Sequence, residues 1–311
     1  MRSNTSELTF GAMIVAIFSV MLLLNRQSGQ LFEEFIFFVL PLPMTVFSLK
    51  YGWKDSLPVL ACMAFASFFM GTLYTMFFAI SEALVGMVQG TCLRKKVNVN
   101  KIQFLVIALS VFTSVFGSIV LASLFGINLG AELASMQEAF VDAFTKVGQD
   151  AAMIRETFSL RSILRLYILS MILYGVMQGF VIFRLSLVIL KRLRFHVPAL
   201  QPLGLYYPPV WTGYLGLFLV FLYMTSYSRP FGSEQVQDIV QTIGLCGYFF
   251  LLIFGWIATA FLIRRLLPGS KILSSILSFL GMLMLPVVGI VLGFGYISTG
   301  LHDWLLGKTS V

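Results

Sequence analysis

The sequence predicts an all-α protein, a polytopic bundle of about nine transmembrane helices with one amphipathic helix lying on its surface. Three observations carry that expectation. The 311 residues are 59% hydrophobic and 11% charged, against a soluble norm of about 45–50% apolar and about 25% charged, and the mean hydropathy is +0.93. Apolar runs recur at the length that crosses about 30 Å of hydrocarbon, roughly 17–25 residues. Basic residues gather in the short segments between those runs, as at Arg94-Lys95-Lys96 and Arg264-Arg265.

Taken in order, the runs fall at 8–24, 32–49, 55–70, 72–93, 103–126, 162–183, 210–227, 239–263 and 272–297. The first is longer than the apolar core of a signal peptide, about 7–15 residues, and no A-x-A site follows it before Asn25-Arg26, so it reads as a retained helix. The block 55–93 is apolar almost throughout, yet one helix over it would be about 58 Å long, nearly twice the hydrocarbon thickness. A tight turn near Gly71 resolves this into two spans. With nine spans, fourteen of the 21 basic residues share the side of the N-terminus and seven lie opposite. The positive-inside rule then puts the N-terminus in the cytoplasm and the C-terminus outside. The net charge of +8 is thus a topology signal, and nucleic acid is not expected as a partner. The expected surroundings are a lipid bilayer.

Between the fifth and sixth runs, apolar residues recur every three or four positions from Leu129 to Phe158, while Glu132, Glu138, Asp142, Lys146, Asp150 and Glu156 fill the other faces. Such a segment is too charged to span and is expected to be one amphipathic helix, flat on the outer surface or folded over the bundle as a lid. Residues 196–209, with Pro198, Pro202, Gly204, Pro208 and Pro209, cannot form continuous helix. This proline-rich linker divides a six-helix unit, 1–195, from a three-helix unit, 210–311.

The candidate site starts from Glu82, near the middle of the fourth run and its only charge. A carboxylate at bilayer depth costs a few kcal/mol even on insertion scales, so it faces protein or water. Thr75, Glu82 and Gln89 are seven apart and fall within about 20° of one another on a helix. Gly86 joins the stripe and permits close approach. In the sixth run, Tyr167, Ser170, Tyr174 and Gln178 share a face that mixes aromatic surface with hydrogen-bonding groups, as a small-molecule site does. Glu82, Thr75, Gln89, Tyr174 and Gln178 are therefore the candidate solute-binding residues; the competing role for the same groups is hydrogen bonding between helices. Arg161 and Arg165, near the outer end of that run, are expected to snorkel to lipid headgroups. In the first run, Ala12 and Ala16 follow Gly11, and small residues four apart form a docking face for another helix, within the chain or in a partner.

Catalytic and metal chemistry find no support. There is no H-E-x-x-H, G-x-S-x-G or Gly-rich phosphate loop, and no cofactor is expected. Cys62, Cys92 and Cys246 are scattered, and His196 and His302 lie far apart, so no metal site is expected either. Glu33-Glu34 resembles the paired glutamates of membrane-embedded CAAX-type proteases, but Phe38 stands where that pattern carries arginine.

Ala12-x-x-x-Ala16, the Tyr51-Gly52-Trp53-Lys54 entry to the third run, and a glycine-bearing fourth run ending at Arg94-Lys95-Lys96 resemble the substrate-binding (S) components of energy-coupling factor vitamin transporters. That resemblance implies a six-helix unit that holds a small solute near the outer face and docks through Ala12 and Ala16 on a membrane protein partner. Across its whole length, including Pro208-Pro209-Val210-Trp211 and the segment from Gly293 to Asp303, the chain resembles the YybS-like family of bacterial integral membrane proteins. The three C-terminal spans depart from the S-component pattern. The function expected is non-enzymatic: binding or transport of a small solute in the bacterial inner membrane. The alternative is a structural or regulatory role exerted through protein partners.

Overall fold

The computed structural model describes residues 2–124, 128–198, 208–229, 232–266 and 271–305. All secondary structure among them is helical. Two compact units divide the chain, one formed by Met1–Lys146 and Ser170–Leu200 and the other by Val147–Leu169 and Gln201–Val311. Residues 147–169, which the sequence reading grouped with the N-terminal unit, therefore belong to the second. Most of the expected linker, 199–207, lies outside the described residues.

In the first unit, α1 (Arg2–Gln27) is followed by α2 (Glu33–Val39), α3 (Pro41–Tyr51), α4 (Trp53–Met70), α5 (Leu73–Arg94), α6 (Val99–Leu124) and α7 (Leu129–Thr145). Short breaks separate these helices, each at a residue that dictates it. Pro41 opens α3 at a position where its missing N–H costs nothing. Gly52, at φ 97°, turns the chain between α3 and α4 in a conformation that a side chain disfavours. After Gly71, Thr72 caps α5 by accepting from the Thr75 N–H at 3.1 Å.

The helix ends define two opposite faces of this unit. At one end the Arg94 side chain donates to the Lys50 carbonyl and lies against Gly52, while the Lys50 ammonium sits 4.2 Å from the Phe10 ring centre. At the other, Arg26 donates to the Phe69 carbonyl at 3.0 Å, and Asn25 and Thr75 both donate to Glu33. Helix α4 runs from Gly52 at the first end to Phe69 at the second. Its 18 residues make a rod of about 27 Å, and the expected turn near Gly71 is present.

Glycines allow the helices to meet backbone to backbone. A Cβ on Gly86 would stand 2.2 Å from the Pro41 carbonyl oxygen, and one on Gly90 would stand 2.4 Å from that of Thr45. Likewise, Cβ atoms on Gly175 and Gly179 would lie 2.6 Å from the Cα atoms of Val111 and Ile107. In both pairs the glycines are four residues apart, the small-residue spacing that drives association where lipid removes the hydrophobic incentive. Thr45, Ser48 and Ser67 return their hydroxyl hydrogens to carbonyls one turn back, at 2.7–2.8 Å, so no donor is left unsatisfied by these side chains.

The second unit contains α8 (Ala151–Thr157), the first part of α9 (Leu160–Arg192), α10 (Val210–Ser228), α11 (Glu234–Leu266), α12 (Lys271–Met284), α13 (Pro286–Ser298) and α14 (Leu301–Leu305). Here too glycines set the spacing: Gly255 faces the Gly289 carbonyl and Gly293 faces that of Leu251. Arg161 pairs with Glu234, and Arg165 donates to Asp238 at 2.7 and 3.1 Å. The two arginines expected to reach headgroups thus form ion pairs along α11.

Three further expectations change. The segment 129–158 is not one helix, because Gly148 takes φ 88° and Asp150 starts a new helix by accepting from the Ala152 N–H at 3.1 Å. The run 272–297 is not a straight span, because a break before Pro286 bends α12 and α13 by 118°, as proline lacks the N–H needed to continue a helix. Seven described helices are long and apolar enough to cross a membrane, or eight if the bent pair is one span, rather than the nine expected. The expected span not counted among them is α4, which nonetheless runs between the two opposite ends of the first unit.

Gly86→Ala and Gly90→Ala should each destabilise the protein by about 1–3 kcal/mol, because the opposing atoms are backbone and cannot yield. Gly281→Ala, which meets nothing within 4 Å, should be neutral or stabilising by up to about 1 kcal/mol. Thermal unfolding of the three variants in the same detergent checks the contrast.

Candidate functional site

The stripe on α5 points wholly inward, with Thr75, Glu82 and Gln89 at 2, 0 and 0% exposure. Each nonetheless meets a different partner. Thr75 donates to Glu33 on α2. Glu82 Oε1 accepts from Gln178 Nε2 at 3.0 Å, while its Oε2 is buried with no partner among the described residues. Gln89 accepts from Ser186 Oγ at 3.2 Å and donates to the Phe183 carbonyl at 3.4 Å. The residues form a column of ties between helices α2, α5 and α9, and only the Glu82–Gln178 pair joins two of the candidates directly.

A cavity of about 460 Å³ opens in the first unit, lined by Glu34, Phe37, Tyr74, Phe78, Ser114, Ser118, Ser170, Met171 and Tyr174. Four helices supply its walls: α2, α5, α6 and α9. The close approach at Gly175 and Gly179 sets α9 against α6, and Ser114 Oγ donates across that contact to the Met171 carbonyl at 3.1 Å. Tyr174 Oη donates to Glu34 Oε2 at 2.5 Å. Phe78 stacks near Tyr74 and Phe37 at ring-centre distances of 4.7 and 5.3 Å. Of the five residues singled out on the sequence, Tyr174 alone lines this cavity. Phe78 lies one helical turn from Glu82 along α5, and Tyr174 one turn from Gln178 along α9, so the buried pair sits just beneath the lined region.

Tyr74, Ser114 and Ser118 were not singled out on the sequence, and Glu34 was noted only as half of a protease-like glutamate pair. The adjacent glutamates at 33 and 34 were the available signal, since two acids beginning an apolar run need partners. Glu33 finds Thr75 and Asn25, and Glu34 finds Tyr174.

Ala12 and Ala16 are exposed. They line a second, larger hollow of about 860 Å³ between α1 and α4, together with Gly11, Val15, Phe47, Pro58, Val59 and others. Gly11 is the small residue of this group that packs inward, with Val59 3.1 Å from its Cβ position. Among the described residues no cluster of three His, Cys, Asp or Glu side chains is placed to hold a metal ion.

Long apolar helices, interfaces built on glycine and a buried carboxyl define a polytopic α-helical membrane protein. The chain belongs to the family of predicted membrane proteins DUF2232, whose match covers residues 16–298. No curated protein and no solved structure matches it.

Replacing Gln178 with leucine removes the donor that Glu82 has among the described residues. The expected cost is about 1–3 kcal/mol, the penalty for a buried polar group left unmade. Glu82→Gln retains an acceptor for Gln178 and should cost clearly less. Unfolding midpoints of both variants, measured side by side, decide the order.

Proposed function

We propose that this chain is a non-enzymatic protein of the bacterial cytoplasmic membrane that binds or transports a small solute, its first unit working in the manner of an S component. The observation that carries the reading is the cavity: aromatic walls, three serines and one carboxylate gathered from four helices. Mostly apolar surface with a few convergent polar groups is what small-molecule sites share.

Charge supplies the orientation. Lys50, Lys54, Arg94, Lys95 and Lys96 cluster at the end of the first unit opposite Glu33 and Glu34. The positive-inside rule places that basic end, and with it the N-terminus, in the cytoplasm. The cavity then opens to the outside, where an imported solute arrives. The S-component resemblance carried by Ala12, Ala16 and the Tyr51–Lys54 segment is consistent with this direction.

A second reading, action through a membrane protein partner, is favoured by the exposure of Ala12 and Ala16 along an unfilled hollow. One experiment separates the two. The wild type, Ser170→Trp and Ala12→Phe/Ala16→Phe are purified from native membrane and analysed by mass spectrometry for bound small molecules and proteins. Solute binding predicts a small molecule that is retained by the alanine double variant and lost from Ser170→Trp, whose indole replaces a lining hydroxymethyl and takes up cavity volume. A protein that leaves with the alanine double variant, with no small molecule on any form, would instead establish the partner reading.

A further inference from the structure

We propose that the solute is an organic ammonium ion, an amine carried as its cation on an aromatic or alkyl body. The inference rests on the reading of the cavity as a solute site and specifies its chemistry. Three features of the lining point the same way.

The first is charge. Among the described residues the lining holds one carboxylic acid, Glu34, and no lysine, arginine or histidine. One turn beyond Phe78 on α5 stands a second acid, the buried Glu82. A carboxylate or phosphate entering here would meet like charge and no counter-ion.

The second is hydrogen-bond polarity. Tyr174 Oη spends its hydrogen on Glu34, Ser114 Oγ spends its own on the Met171 carbonyl, and Ser118 Oγ donates to the Ser114 carbonyl at 2.8 Å. Each of these hydroxyls keeps acceptor lone pairs, and a carboxylate such as Glu34 accepts at several positions beyond the one Tyr174 occupies. These three hydroxyls and the Glu34 carboxylate therefore offer acceptors, and the group that complements them is a donor. An ammonium group with its N–H bonds fits that demand, and its hydrogen bond to a carboxylate is of the strong, charge-assisted kind.

The third is the aromatic wall. Phe37, Tyr74 and Phe78 form a run with ring centres 4.7–6.3 Å apart. Tyr174 closes the other side against Phe38 at 6.3 Å. Ring faces attract a desolvated cation and pack on the apolar body that carries it. A metal ion would gain nothing from that wall, and the described residues lack a ligand cluster for one.

The test uses the full chain in nanodiscs of zwitterionic phosphatidylcholine, which avoids electrostatic uptake of amines by lipid. Three probes of one shape and different charge are titrated by calorimetry at pH 7: phenethylamine, phenethyl alcohol and phenylacetate. The amine is expected to bind saturably, phenylacetate not at all, and Glu34→Gln to weaken the amine at least tenfold and by a much larger factor than the alcohol. The ranking of probes on the wild type stands by itself should Glu34→Gln fold poorly. Phenethyl alcohol or phenylacetate binding as tightly as the amine would overturn the ammonium proposal. So would an amine affinity indifferent to Glu34→Gln, or no amine binding at millimolar concentration. Those outcomes leave the solute reading standing, because that reading is judged separately by whether Ser170→Trp loses a molecule bound in native membrane.

Discussion

Backbone contact between helices at glycine is the constraint on which the first unit depends. In lipid, helices gain little by hiding apolar side chains, so they associate through close packing and hydrogen bonds. Gly86 and Gly90 bring α5 onto α3, and Gly175 and Gly179 bring α9 onto α6. The second consequence follows from the first. With the backbones this close, side chains as short as serine and threonine reach across, as Ser114 does to Met171, and Gln89 and Glu82 meet Ser186 and Gln178.

The same packing accounts for where space remains. At the end of the unit that carries Glu33, the large rings of Phe37, Tyr74, Phe78 and Tyr174 replace small residues and hold the helices apart, so a cavity forms. One turn further in, the hydrogen-bonded Glu82–Gln178 pair closes the gap. Glu82 in this view is a tie beneath the cavity, and Glu34 is the acid a solute would meet. Among the described residues the fully buried Oε2 of Glu82 has no hydrogen-bond partner.

Composition and periodicity made the fold class legible, because hydropathy over 17–25 residues reports the solvent directly. The turn near Gly71 followed from a length limit alone. What escaped was set by single residues whose effect depends on three-dimensional context. Gly148 and Asp150 divide a segment whose apolar period runs on unbroken, and Pro286 bends a run that hydropathy scores as continuous. The inward stripe of Thr75, Glu82 and Gln89 was readable from heptad spacing, as was the face on the sixth run that carries Gln178, whereas the partners Glu33 and Ser186 were not. Glu34 was hidden for a different reason. It begins a helix, where acids are common, and its role is set by Tyr174, 140 positions away.

The account's central claim is that an acceptor-lined cavity opens at the end of the first unit opposite its basic cluster, on the outer side of the membrane. Intact cells carrying Ser118→Cys, with Cys62, Cys92 and Cys246 replaced by alanine, can be treated with membrane-impermeant methanethiosulfonate reagents of opposite charge. The account predicts labelling from outside, faster with the trimethylammonium reagent than with the sulfonate of similar size. Labelling only after the membrane is opened, or faster labelling by the sulfonate, would contradict it.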